Sequence, residues 1–228
     1  MELEFALSTW SGSEIDLGDW IRPRTVWLEQ EDLKKVELLY KHIVPAITNV
    51  QEGTKPFNTL MMWHKWERFC RFDQFDKYDC IIKTRADIEV DTRYIENIVK
   101  AVEMVVGMPN TLAIPSGGDH GKSLKGRRQA INDVFAIGSP QSMRKYLLIT
   151  SSWSQHYQAA KIFHPETLLR FHLIDQNQMH LIRFPALLYL RGGEYNHLTT
   201  RWYKDTLPFQ SNFLQRKIDR IKRSGKFF

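Results

Sequence analysis

The sequence predicts an α/β fold, because short apolar segments of strand length alternate along the chain with segments that have helical periodicity. Strands are expected at residues 3–10, 25–28, 78–84, 112–115, 134–137 and 181–190. Helices are expected at 31–42, 56–70 and 92–105, from 140 onward, at 165–173 and at 212–226. The 228 residues contain no internal repeat, low-complexity tract or linker, so one domain covering 1–228 is expected.

Local end signals justify the helices in order. Pro45 closes the first helix. The second, which opens at Pro56, carries one broad apolar face formed by Leu60, Trp63, Trp66, Phe69 and Cys70. Asp91 is placed to cap the third, whose apolar residues follow the i, i+3, i+4, i+7 rule: Ile95, Ile98, Val99, Val102 and Val105. Ser139 and Pro140 supply a capping residue followed by proline at the first helical position, which starts the fourth.

Composition bears on partners and compartment. The chain is 43% hydrophobic, which allows a sizeable core, and its formal charge of +6 favours nucleotide diphosphates, nucleic acid or an anionic membrane face as partners. Solubility alone is the other explanation of the charge. Cys70 and Cys80 form neither a disulfide framework nor a zinc motif, so reduced thiols and a cytoplasmic location are expected.

The two ends of the chain bear on membrane contact. The first residues lack the features of a secretory signal, and no apolar run approaches the roughly 20 residues of a membrane span, so no transmembrane segment is expected. The segment 212–226 reads as a basic amphipathic helix, whose cations are Arg216, Lys217, Arg220, Lys222, Arg223 and Lys226. Such a helix suits peripheral contact with anionic lipid, nucleic-acid binding or packing on the domain.

The strongest chemical signal lies at residues 83–91, where a buried strand runs into alternating charges. Carboxylates at the carboxyl end of a strand stand where α/β sheets bind ligands. Asp87 is therefore the candidate ligand for Mn²⁺ or Mg²⁺ on a diphosphate, and Arg85 can hold a phosphate. Lys83 precedes them as a further candidate for substrate binding. Asp91 is better explained as a helix cap.

Two basic loops are further candidates. Residues 116–123 look like a P-loop, but Ser116 stands where that motif requires glycine, so we reject this interpretation. The segment is expected to form a flap whose basic residues face an anionic donor or acceptor, or a solvated loop. These basic residues are His120, Lys122, Lys125, Arg127 and Arg128. Arg191 and His197 follow the last predicted strand, and a lone surface histidine is the alternative explanation of His197.

Four segments in order resemble the WavE-type glycosyltransferases of lipopolysaccharide synthesis. These segments are Ser8-Thr9-Trp10-Ser11-Gly12, residues 78–87, residues 132–139 and residues 165–169. The resemblance implies a GT-A-like (Rossmann-like) fold with a mixed, mostly parallel sheet flanked by helices.

The same resemblance implies roles for particular residues. Ser8, Thr9 and Trp10 would line the nucleotide pocket. The metal-binding Asp-x-Asp motif reads Arg85-Ala86-Asp87 here, so its first Asp is missing. Asp133 would contact the donor sugar or act as a base toward the acceptor hydroxyl, and Arg85 would support the reacting groups. Late in the chain, His197 would complete a metal shell and Arg191 would hold the diphosphate.

The sequence therefore predicts an enzyme that transfers a sugar from a nucleotide-sugar donor, assisted by Mn²⁺ or Mg²⁺, to a bacterial surface glycan. Hydroxymethylated bases of phage DNA are an alternative acceptor, which would place the enzyme in the host cytoplasm. Two hypotheses from other classes are a non-catalytic nucleic-acid-binding protein and a metal-dependent nuclease built on Asp79, Asp87 and Glu89.

Overall fold

A computed structural model gives the fold, and it describes residues 4–10, 25–85, 88–115, 131–186, 188–190 and 203–205. The predicted flap at 117–129 and the predicted basic helix at 212–226 lie outside these residues. The described strands are β1 (Phe5–Trp10), β2 (Thr25–Glu31), β3 (Ile81–Lys83), β4 (Ile88–Val90), β5 (Thr111–Pro115), β6 (Ala136–Gly138), β7 (His180–Phe184), β8 (Leu188–Leu190) and β9 (Tyr203–Asp205).

Six α-helices fall within the described residues. They are α1 (Leu33–Lys41), α2 (Pro56–Phe69), α3 (Ile95–Val105), α4 (Pro140–Leu147), α5 (Trp153–Ala160) and α6 (Pro165–Arg170). A π-helical turn, Phe171–Gln176, continues α6, and short 3-10 turns stand at Val44–Ala46, Phe75–Lys77, Thr92–Tyr94 and Leu148–Ser151. None of these helices is long and apolar enough to cross a membrane.

The prediction of a mixed α/β fold is confirmed, but the prediction of a mostly parallel sheet is wrong for the described strands. The largest sheet has the order β3-β6-β5-β7-β9, and in it only β5 and β7 pair in parallel. β1 and β2 form a separate parallel pair, and β4 and β8 an antiparallel one. β6 begins at the same end of the sheet at which β5 ends, so the two strands run in opposite directions.

Helices cover both faces of the large sheet, because successive side chains of a strand point to opposite faces. Leu112 and Ile114 of β5 belong to one apolar cluster, which includes residues of α2, α4, α5 and α6. Ala113 of the same strand belongs to a second cluster, shared with Ala101 and Val105 of α3. The expected apolar face of α2 lies in the first cluster, and its Trp63 is fully buried.

Several end signals act as the sequence predicts. Ser139 caps α4 by accepting a hydrogen bond from the Ser142 amide at 3.3 Å. Asp91 accepts one from the Arg93 amide at 2.9 Å, although it caps the 3-10 turn that leads into α3 and not the α-helix itself. Cys70 and Cys80 are free thiols, and burial raises the pKa of each to about 11.

Other expectations about the elements are corrected. The single strand expected at 181–190 is wrong: β7 and β8 belong to different sheets, and Pro185 stands between them without an N–H for a ladder. β4 was not predicted, because it lies within the segment of alternating charges, and it pairs with β8. The first helix begins at Leu33 and not at Glu31, because β2 extends through Glu31 and Asp32 is the N-cap. α5 was not predicted as a separate helix. It is separated from α4 by the 3-10 turn Leu148–Ser151, with no strand between them.

A buried histidine pair joins α5 to the π-helical turn. The Ser152 hydroxyl lies 2.9 Å from both His156 Nε2 and His172 Nδ1. The His172 Nε2–H donates to the Lys145 carbonyl at 2.7 Å, which leaves Nδ1 as an acceptor. Burial and, to a smaller extent, the nearby His172 lower the pKa of His156 to about 4, and burial also lowers the pKa of His172. Both rings are therefore neutral at neutral pH.

We predict that acid destabilises the protein through this pair. In the unfolded chain the imidazole of His156 takes up a proton near its ordinary pKa of 6.5, whereas in the folded protein it does so near pH 4. The contribution of His156 to the free energy of unfolding is therefore fully present above pH 6.5 and is lost as the pH falls toward 4. Urea unfolding at pH 7 and pH 5 measures this loss, which is expected to be smaller in His156→Gln. The exposed His180→Gln is the matched control, and an unchanged pH dependence in His156→Gln would contradict the prediction.

Candidate active site

Four strands of the large sheet meet at one edge. β3, β5 and β7 run in the same direction and end there at Lys83, Pro115 and Phe184, while the antiparallel β6 begins there at Ala136. We call this the carboxyl edge. Open α/β sheets bind ligands outside the carboxyl ends of their strands, so this edge is the candidate site.

Lys83 closes β3, and its side chain turns into the protein beneath the edge. The side chain is 8% exposed. The ammonium lies 4.2 Å from the centre of the Trp66 ring and donates hydrogen bonds to the carbonyl oxygens of Asp133 and Val134, the latter at 3.3 Å. The sequence predicts that Lys83 binds substrate. In the structure, its ammonium binds carbonyl oxygens of the protein backbone.

The segment that leads into β6 forms a compact turn, which we call the 131–135 turn. Asn132 is fully buried, and its Oδ1 accepts a hydrogen bond from the Val134 amide at 2.7 Å. The Ile131 amide donates to the carbonyl of Glu166 at the start of α6 at 2.9 Å. The turn thus sets the half-buried Asp133 at the carboxyl edge and joins three of the four segments on which the resemblance rests.

Tyr146 of α4 lies beneath this turn. Its ring stacks on Trp66, with centroids 5.2 Å apart and planes inclined by 26°. Complete burial raises the pKa of Tyr146 well above its ordinary value, and the negative charges of Asp133 and Glu166 raise it further. The phenol is therefore neutral at any physiological pH.

One stretch of α2 ties the ends of β2 and β3 together. Glu31, the last residue of β2, contacts Lys65 Nζ at 2.9 Å and His64 Nε2 at 3.1 Å, and one turn further on Arg68 Nε at 3.4 Å. Burial raises the pKa of Glu31, but its hydrogen bonds with Lys65 and His64 outweigh this effect and the net pKa is lowered. Trp66 lies between Lys65 and Arg68 in the sequence, and it contacts Lys83 at the end of β3.

The nucleotide-pocket candidates stand beside this anchor. In the parallel register of β1 and β2, Trp10 faces Glu31, Thr9 faces Gln30 and Ser8 faces Glu29. The carboxyl end of β1 therefore lies next to the end of β2 that α2 holds. Glu4, just before β1, also accepts a hydrogen bond from the hydroxyl of Tyr78, which precedes β3, at 2.6 Å.

Arg183 is a site candidate that the sequence analysis missed. It lies in β7, is 3% exposed, and donates from Nη1 to the carbonyl of Pro115, the last residue of β5, at 3.2 Å. In the sheet register, Arg183 pairs with Ile114 and Lys83 pairs with Ala136. The backbones of the two buried residues are therefore three strand spacings apart, about 14 Å. A charged residue inside the apolar segment 181–184 was the signal available in the sequence.

The remaining candidates divide into two groups. Thr84 and Arg85 are exposed and follow β3 at the carboxyl edge. Other candidates lie outside the described residues: Asp87, Lys122, Arg127, Arg128, Arg191 and His197. Within the part of the chain that the structure describes, no group of three or more His, Cys, Asp or Glu side chains could hold a metal ion.

An open cleft of about 490 Å³ lies at the opposite edge of the sheet. Its lining includes Asp76 and Asp79, which precede β3, together with Pro109 and Ser139. The carboxylates disfavour a diphosphate there, because two anions would face each other. We therefore assign the site to the carboxyl edge, where Arg85 and the amino end of β6 meet, and not to this cleft.

Comparison of the chain with protein-family models, with curated proteins and with solved structures finds no match in any of the three. The described residues define a mixed α/β protein, and the carboxyl edge of its largest sheet is the candidate site.

We predict that Asn132→Ala lowers the free energy of unfolding by about 1–3 kcal/mol, because it leaves the Val134 amide without the side-chain oxygen that accepts its proton. Chemical denaturation measures the change. Asn58→Ala, at an exposed position of α2, is the matched control and should be neutral or slightly stabilising. Equal stability of the two variants would show that the 131–135 turn does not depend on this bond.

Proposed function

We propose that the protein is a nucleotide-sugar-dependent glycosyltransferase with its active site at the carboxyl edge. The observation that carries the proposal is the meeting of the end of β3, with the exposed Arg85, and the 131–135 turn, with Asp133. A cation for the leaving diphosphate and a carboxylate for the acceptor hydroxyl are the two groups that sugar transfer requires. The resemblance to WavE-type enzymes and a GT-A-like form of the mixed sheet belong to the same proposal.

Charge at the edge supports the donor half of the proposal. The leaving nucleoside diphosphate develops negative charge, which a preorganised cation stabilises in the transition state. Arg85 presents a planar guanidinium that can hold phosphate oxygens in pairs. Ser8, Thr9 and Trp10 at the end of β1 would receive the nucleotide, and the basic residues Lys122, Arg127, Arg128 and Arg191 would extend the cationic surface.

Asp133 supplies the acceptor half. Asp133 stands on a turn whose backbone is held by Asn132 and by Glu166, so the fold sets the position from which its side chain extends. A base must lie within hydrogen-bond reach of the proton that it removes, and a carboxylate at the carboxyl edge would be placed for this role. Contact with the donor sugar is the other role open to Asp133.

Metal assistance is a separate part of the proposal. Among the described residues Asp133 is the one carboxylate we place at the carboxyl edge, which is too few donors for Mn²⁺ or Mg²⁺ without help. Asp87 and His197 would hold the ion together with the diphosphate oxygens. If they do not, Arg85 and the basic residues neutralise the diphosphate alone.

The surface-glycan acceptor rests on the resemblance and the DNA acceptor on the net charge of +6, and neither rests on the described site. A surface glycan at the inner membrane is the first proposal, with the basic segment 212–226 in contact with anionic lipid and the enzyme in the cytoplasm. DNA with hydroxymethylated bases is the second. Salt separates them, because each phosphate contact with DNA contributes a slope of about −0.9 in log K against log salt.

The nuclease alternative is less well supported by the geometry. Asp79 precedes β3, and Thr84 at the carboxyl edge is five positions further on, a distance of about 17 Å along an extended chain. One metal ion could not bind Asp79 and a carboxylate at that edge together. A simple nucleic-acid-binding protein explains the net charge but gives no role to a carboxylate on a fixed turn.

The proposal is tested by screening UDP-, GDP-, dTDP- and CMP-sugars for thermal stabilisation and for nucleotide release with glycan and DNA acceptors. We predict that Asp133→Asn lowers kcat by 10²–10⁴-fold, the usual contribution of a general base, with little change in donor binding. The exposed Asp73→Asn is the matched control. A well-folded Asp133→Asn protein with normal turnover would remove Asp133 from the reaction.

We also predict that Mn²⁺ or Mg²⁺ strengthens donor binding and that Asp87→Ala abolishes this effect while the protein stays folded. The physical reason is that a hard divalent ion needs a carboxylate as well as phosphate oxygens. Donor binding measured with metal and with excess chelator tests both statements. Full activity in chelator would assign the neutralisation of the diphosphate to Arg85 and the basic residues.

A further inference from the structure

We propose that Lys83 is a positioning residue, which holds the 131–135 turn and with it Asp133 at the carboxyl edge, and that it does not bind the donor. The role in catalysis rests on the proposed function. The role in holding the turn rests on contacts of the described residues alone, so the two can be tested apart.

The position of the ammonium carries the first step. Lys83 Nζ lies 4.2 Å from the centre of the Trp66 ring and 6.0 Å from that of Tyr146, with the side chain 8% exposed. Two carbonyl oxygens of the turn, those of Asp133 and Val134, accept its protons. A cation that is stacked on a buried indole and bonded to backbone points into the protein, away from a diphosphate in solvent.

The strand register explains why the turn needs this side chain. The ladder between β3 and β6 ends at the pair Lys83 and Ala136. The carbonyls of residues 133 and 134 lie beyond that pair, where β3 offers no further ladder partner. The Lys83 side chain therefore continues the connection between the two strands past the end of the ladder. An apolar side chain of equal length could fill the space but could not donate to the carbonyls.

The cost of burying the charge supports a specific role. An ammonium removed from water is unfavourable unless hydrogen bonds and a favourable ring contact compensate it, and both are present. Methionine at this position would fill the same volume at no such cost. The fold therefore keeps a charge at a place where packing alone does not require one.

The consequence is a separation of kcat from KM. Misplacement of a reacting group by about 1 Å can cost 10²-fold in rate, so Lys83→Met is expected to lower kcat about 100-fold with the donor KM unchanged. Trp66→Phe keeps a ring that binds cations less strongly, and we expect it to lower kcat by about two- to fivefold. Lys83→Arg keeps the charge and the donors and should retain more activity than Lys83→Met.

A second readout does not depend on activity. The Val134 amide is bonded to Asn132 within the turn, so its hydrogen exchange reports whether the turn is held. Exchange at Val134 is expected to be at least about tenfold faster in Lys83→Met, while exchange at Leu112 in the buried β5 stays slow. Ethylammonium added to Lys83→Ala should restore part of the protection and part of kcat.

The experiment compares wild type, Lys83→Met, Lys83→Arg, Trp66→Phe and the exposed control Lys77→Met. Far-UV circular dichroism checks the fold, and if Lys83→Met does not fold, Lys83→Arg and Trp66→Phe carry the same two measurements. Rates are measured with the sugar nucleotide that the wild type turns over in the screen described above. Lower kcat, unchanged KM and faster Val134 exchange support the proposal.

Two results would overturn it. A raised donor KM with unchanged kcat and unchanged Val134 exchange would make Lys83 a donor-binding residue. Unchanged exchange in a folded Lys83→Met protein would show that the turn holds itself. A third result separates this inference from the proposed function: faster Val134 exchange in Lys83→Met, together with no turnover of any sugar nucleotide by the wild type, supports the hold on the turn and overturns the glycosyltransferase proposal.

Discussion

The contact of the Lys83 ammonium with the Trp66 ring and the 131–135 turn is the interaction on which the candidate site depends. It joins a strand end, a helix and a turn that are far apart in the sequence. The ladder between β3 and β6 ends at the pair Lys83 and Ala136, and the Lys83 side chain extends the connection to the turn beyond it. The turn that carries Asp133 is also held by the bond between Ile131 and Glu166.

The helix α2 extends the same principle to the rest of the edge. His64, Lys65 and Arg68 bind Glu31 at the end of β2, while Trp66 binds Lys83 at the end of β3. Four side chains within five residues of one helix thus contact the ends of strands in two different sheets. An apolar face beneath them, centred on the fully buried Trp63, keeps the helix on the core. Apolar contacts therefore hold α2 on the core, and polar contacts join it to the ends of the strands.

Buried polar groups join neighbouring elements at two places in the described structure. Arg183 donates across β7 and β5 at the carboxyl edge, and Ser152 bridges His156 and His172 between α5 and the π-helical turn. Each of these contacts costs desolvation and specifies one arrangement. The histidine pair is expected to destabilise the fold in acid, whereas Arg183 joins the ends of two strands at the carboxyl edge.

The sequence by itself determined the alternation of strands and helices, the cap at Ser139 and the apolar face of α2, because these depend on local periodicity and local hydrogen bonds. It also predicted a site at residues 83–91 and at Asp133, which stays a prediction. Only the tertiary structure decided that β6 runs antiparallel between β3 and β5, that Pro185 separates two strands of different sheets, and that Lys83 points inward. Strand order and side-chain direction follow from contacts between segments about 20 or more residues apart, which local periodicity does not record.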